Sequence, residues 1–154
     1  MDTATIKRKL TTTAELQLQQ YRELVSLVEE QREILIDNRH SDLEGNVALQ
    51  DKTLAEISEL DRQEEMLLEI LAGTNDSPAP SHFEDGHREI TAEIAQTAER
   101  LRSLVETNTE LLANAVRFVD FSIGILSQLG NEQQSYNPNA DPAGNCAIIF
   151  DRRV

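Results

Sequence analysis

The chain has 154 residues, 39% of them hydrophobic and 27% charged, and a formal net charge of −14. That is enough apolar matter for the core of one domain. No run approaches the ~18 uninterrupted apolar residues of a membrane span, and the acidity argues against nucleic acid or an anionic membrane surface as partners. The opening MDTATIKRKL lacks the apolar stretch of a secretory signal. The single cysteine, Cys146, permits no internal disulfide and reads as an incidental free thiol in a reducing, cytoplasmic setting. The negative charge itself reads either as a soluble, self-repelling surface or as a preference for a less acidic protein partner.

The first helix is expected from about Thr5 to Asp37, without Pro or Gly. Leu10, Ala14, Leu18, Tyr21, Val25, Val28 and Leu35 recur at spacings of three and four, interrupted by Arg32, which is the pattern of a helix packed along its length. Tyr21 reads as a core residue with its hydroxyl at the rim. A break at Asn38-Arg39-His40 precedes Ser41-Asp42-Leu43-Glu44. A Ser three residues ahead of a Glu is a capping box, placing the second helix start at Ser41. Its expected seam is Leu43, Val47, Leu54, Ile57, Leu60, Leu67 and Leu71, and Gly73 is the expected left-handed cap. The acidic pairs Glu29-Glu30 and Glu64-Glu65 read as solvated faces.

Residues 73–86, rich in Pro and small polar residues, form the expected loop. The third helix follows from about His87 to Leu129, with Gly130 as its stop. Its seam is Ile90, Ile94, Leu101, Leu104, Asn108, Leu111, Ala115, Phe118, Ser122 and Leu129. Asn108 there reads either as a register-fixing polar group or as a solvated residue at a loosely packed point. A tight break between the first two helices implies an antiparallel hairpin, with the third returning alongside. At 1.5 Å per residue the third would span ~65 Å against ~45–50 Å for the others, so its surplus should project at the C-terminal end. The expected fold class is therefore all-α: an antiparallel three-helix bundle or coiled coil with an over-long third helix, residues 1–130, and a flexible tail, 131–154.

The end of the third helix carries more apolar surface than one packed face needs. Wound at 100° per residue, Arg117, Asp120, Gly124, Ser127 and Gln128 form one narrow polar strip. Val116, Phe118, Val119, Phe121, Ile123, Ile125, Leu126 and Leu129 cover the remaining roughly 220°, where a stripe slightly wider than ~100° would face a core. A disordered amphipathic helix laying its apolar face on these residues fits such a surface, and they are the candidate client-binding residues. A second copy packing there is the competing reading, as is a central position for helix three between the other two. The tail offers too few apolar groups to order itself. Its features are Tyr136 and the tip Ala147-Ile148-Ile149-Phe150, a docking element or a segment that folds back on the bundle.

Residues with catalytic potential are sparse. Glu84-Asp85-Gly86-His87 has the Glu-x-x-His spacing of di-iron bundles, but it falls in a loop, and Asp37-x-x-His40 is its sole echo. His82 and His87 are too loosely placed for a zinc site without cysteines. With no phosphate loop, nucleophile elbow or Cys–His pair, neither an enzyme nor a metal or other cofactor is expected.

Several local features occur together along nearly the whole chain. They are a Leu-rich first helix with Glu29-Glu30-Gln31-Arg32-Glu33, then Asp42-Leu43 opening a second helix with Gln50-Asp51-Lys52 and Leu54. Asn108-Thr109-Glu110-Leu111-Leu112 and its long apolar continuation follow, then Ser135-Tyr136, a later Gly, and Phe150-Asp151-Arg152-Arg153. In order and length this layout resembles the FlgN family of flagellar export chaperones. The resemblance implies a cytosolic chaperone that holds the terminal helical segments of hook–filament junction proteins (FlgK/FlgL type). It also implies delivery to the cytoplasmic domain of the flagellar type III export gate, with the docking role falling to Tyr136. The alternative is a structural coiled-coil adaptor that homo-oligomerises through its third helix, for instance as a homodimer.

Overall fold

The computed structural model of the chain describes residues 2–73 and 85–135. They form three helices, α1 Thr3–Ile36, α2 His40–Gly73 and α3 Asp85–Ser135, with no strand among the described residues; the fold is an all-α three-helix bundle. The chain divides into two compact units, Met1–Ala113 and Asn114–Val154. The first holds α1, α2 and the opening of α3.

In this unit α1 is the helix that both others use. Twelve of its residues are buried, against four in α2. Two seams account for them. Ile6, Leu10, Thr13, Gln17, Gln20, Leu24, Leu27, Gln31 and Ile34 alternate by four and three and are all buried or half-buried. They meet an antiparallel α2: Ile6 and Leu10 cluster with Leu71 and Leu67, and Gln17 Nε2 donates to Asp61 Oδ1 at 2.9 Å and Glu64 Oε2 at 3.0 Å. The second seam, through Tyr21, Val25 and Val28, is the one expected from the sequence. Leu24, Val28 and Ile57 form a buried cluster against which Tyr21, Leu101 and Leu104 pack, and because Arg22 pairs with Glu93 and Glu29 with Arg100, α3 runs parallel to α1. Burial, and secondarily the charge of Asp61, pushes the Tyr21 phenol above its ordinary pKa.

The α2 seam departs from expectation. Asn46, Gln50, Thr53, Ile57, Leu60, Glu64, Leu67 and Leu71 repeat at the heptad spacing and are buried or half-buried. Val47 and Leu54, expected inside, are exposed. Each lies one residue beyond the true seam position, which is filled by Asn46 or Thr53. The apolar pattern alone therefore sets the helix phase wrong by one residue in its first half, because polar groups do the packing there.

Those polar groups are satisfied. Asn46 Nδ2 donates to the Leu27 carbonyl at 2.9 Å and to Glu30 at 3.1 Å. From α3, the buried Asn108 Nδ2 donates to the Val28 carbonyl and to Gln31 Oε1, both at 2.9 Å, while its buried Oδ1 has no hydrogen-bond partner. Two asparagines from two helices thus pin adjacent carbonyls on one turn of α1, each with a second bond to the side chain three residues on. Of the two readings of Asn108, burial selects the register-fixing one. The ion pairs Arg22–Glu93 and Glu29–Arg100 reinforce it. Both pairs span the same sequence separation, one heptad apart, with the charges exchanged. A slip of α3 by seven residues would set Arg22 beside Arg100, or Glu29 beside Glu93. Exposed pairs contribute only about 0–1 kcal/mol each, so their effect is on choice of register. Glu29, Glu30 and Glu64 are accordingly bonded groups at helix contacts rather than idle solvated faces.

The break between α1 and α2 closes with a left-handed residue, Asn38, at φ 55°. Arg39 N–H bonds the Ile34 carbonyl at 3.0 Å and Asn38 N–H bonds that of Leu35 at 3.4 Å, the paired pattern that satisfies orphan carbonyls at a helix end. Asn is among the few non-Gly residues that visit this conformation routinely, since its short polar side chain is able to bond locally. The capping box does not form: α2 starts at His40, and the Ser41 hydroxyl bonds Asp42 Oδ1 at 3.3 Å. Gly73 ends α2 without positive φ.

Candidate functional site

The described part of the second unit is the helical stretch 114–135. Gly130 does not stop α3, which continues to Ser135. One glycine costs a helix interior about 1 kcal/mol, too little to end it among neighbours free of proline. Within this stretch Ala115 and Ser122 are half-buried, and every other residue from 114 to 129 is exposed. Ser122 Oγ donates back to the Phe118 carbonyl at 2.8 Å, so its polar group is spent within its own helix.

All eight candidate contact residues, Val116, Phe118, Val119, Phe121, Ile123, Ile125, Leu126 and Leu129, are exposed, from 41% at Ile125 to 70% at Phe118. Phe118 and Leu129, also expected in the packing seam of α3, are therefore not core residues. Singly exposed apolar residues are ordinary, but here all eight fall on one helical stretch between Val116 and Leu129. Val116 and Ile123 are one heptad apart on one flank. Phe118, Phe121 and Ile125 lie at helical spacing on the other. The only charged side chains between 114 and 129 are Arg117 and Asp120, on the polar strip. The surface offers shape and apolar area, with no titratable group set to do chemistry. Tyr136, Cys146 and the tip Ile148-Ile149-Phe150 lie outside the described residues, as do His82 and Glu84.

Sequence periodicity does not reveal the first unit's grooves. On the α1–α2 hairpin, three shallow grooves are lined partly by seam residues and partly by apolar residues outside the seams, among them Leu16, Leu49, Met66 and Ile70. No group of three or more His, Cys, Asp or Glu residues suited to a metal occurs among the described residues. His87 is buried in the first turn of α3. No helix among the described residues is long and apolar enough to cross a membrane.

Fold and surface together define a class: an all-α helical bundle protein that presents an exposed apolar helical surface. The sequence matches the FlgN protein family over residues 1–144, and the chain belongs to that family, which is one of flagellar export chaperones that bind hook-associated proteins. Neither the curated proteins nor the solved structures contain a match to the chain.

Proposed function

We propose that this chaperone holds the terminal helical segments of the hook–filament junction proteins on the apolar surface between Val116 and Leu129, and that Tyr136 then docks the loaded chaperone on the export gate's cytoplasmic domain. The observation that carries the reading is the exposure of all eight apolar side chains on that helix. A client that folds as it binds supplies its own apolar stripe, buries both surfaces and contributes an ordering cost that keeps affinity moderate and release feasible. The chaperone works in the cytoplasm, before its client enters the export channel.

The test is titration calorimetry with C-terminal peptides of the host's own junction proteins. Saturable binding with a negative heat-capacity change, abolished in Phe121→Asp or Ile123→Asp while circular dichroism stays unchanged, is the expected outcome. Loss of helicity in those variants would assign the residues to a core instead. No binding to either peptide, with a tight homodimer in sedimentation, would favour self-association through the same surface.

A further inference from the structure

The α1–α2 hairpin carries a second apolar surface, built from other residues than the client surface just described. One of its grooves, about 560 Å³, lies toward the start of α1. Leu16 from α1 and Met66 and Ile70 from α2 line it, each between 42% and 49% exposed. Met66 and Ile70 are one helical turn apart, so the three side chains make a shallow strip between two antiparallel helices. That geometry accepts the apolar stripe of a third helix. Leu16 also lines the adjoining groove with Leu60 and Ala55, which extends the strip along the hairpin.

Charge distinguishes the first groove. Acids outnumber bases by 28 to 14 in this chain, yet Arg8 and Lys9 line the groove and no carboxylate does. The adjoining groove, by contrast, has Glu56 and Glu59 beside Lys52. Arg8 and Lys9 are both exposed and have no ion-pair partner among the described residues. Arg22, Arg39, Arg62, Arg100 and Arg102 have one, whereas Lys7, Arg32 and Arg117 share the unpaired state among the described residues, so it is the location of Arg8 and Lys9 on the groove that matters. A local positive rim on a negative molecule orients an approaching partner and selects its charge. Two cations are far too few to hold nucleic acid or a membrane against a net charge of −14.

We propose that this groove docks an amphipathic helix of a partner protein, with the partner's apolar stripe on Leu16, Met66 and Ile70 and an acidic flank beside Arg8 and Lys9. It shares no residue with the Val116–Leu129 surface, so client and second partner bind through separate determinants. The probes are two labelled helical peptides with the same apolar stripe, one flanked by Glu and one by Lys, titrated by anisotropy against the full chain. The Glu-flanked peptide is expected to bind, more weakly as salt rises, even though the net charge favours the Lys-flanked one elsewhere. Its Kd should rise about tenfold, some 1.4 kcal/mol, in Arg8→Glu/Lys9→Glu, and that variant should now take the Lys-flanked peptide. Ile70→Asp and Leu16→Glu, both at half-exposed positions, should abolish binding with helicity unchanged, and Phe121→Asp should leave it intact. The proposal fails if neither peptide binds, if both bind equally, or if Phe121→Asp removes the binding. It also fails if the protein is a dimer that Ile70→Asp makes monomeric, since a second copy would then cover the groove.

Discussion

Residues 2–113 and residues 114–135 are built from the same helical vocabulary and put their apolar groups to opposite uses. In the first region Ile6, Leu10, Val28 and Ile34 are at most 1% exposed, and buried polar groups such as Gln17, Asn46 and the Asn108 amide N–H have hydrogen-bond partners, the Asn108 Oδ1 having none. In the second, phenylalanines and isoleucines that would fill any core stand in solvent, and the one half-buried hydroxyl bonds its own helix. Apolar content therefore does not distinguish structure from function here. What separates the regions is whether polar atoms have been recruited to fix the packing.

The comparison breaks most readily at its two extremes. Leu10→Ala, at a fully buried position, should cost about 2–5 kcal/mol in urea unfolding, whereas Phe118→Ala should stay within about ±0.5 kcal/mol. Similar losses at both sites would place Phe118 in a core and erase the distinction. A smaller effect probes the polar pin. Asn108→Ala should cost about 1–3 kcal/mol through loss of its buried bonds. Asn108→Leu should restore stability while multiplying backbone amide resonances, because apolar packing alone admits neighbouring registers. A single sharp set of resonances from the Leu variant would show that the ion pairs suffice. The smallest effect lies on the surface of the first region. Arg62 and Gln63 hold the exposed Glu59 carboxyl down to about 2. Since its folded pKa is lowered, any stabilisation over Glu59→Gln is present above the ordinary carboxylate pKa and fades as pH falls through about 2. Thermal melts of the two proteins should converge at the acid end; divergence there would reverse the sign.

Much of this architecture is legible in the sequence, and each error has its own local cause. Three helices and the tight α1–α2 break follow from periodicity and from the placement of Pro and Gly, and the α1 seam toward α3 was read from Ala14, Leu18, Tyr21, Val25 and Val28. The α2 seam was not, because Asn46 and Thr53 occupy positions that a hydrophobicity pattern assigns to solvent. Their only sequence signal is the unbroken heptad spacing to Leu60 and Leu67. The Ser41 capping box failed to form because the turn is closed instead by Asn38 in the left-handed region. The over-wide apolar face after Ala115 is visible by winding the helix alone. The Arg8–Lys9 groove is not, since it exists only once two helices lie side by side.

The twin asparagine pins carry a consequence for how freely this fold can be rewritten. Their acceptors at Leu27 and Val28 are main-chain carbonyls, which any amino acid supplies. Register is thereby stored in two side chains and in atoms that mutation does not alter. The aliphatic layers to either side are released to exchange Leu, Ile, Val and Met among themselves. Two chains can consequently share few core residues and still superpose, and a designer could replace most of the interior while keeping Asn46 and Asn108.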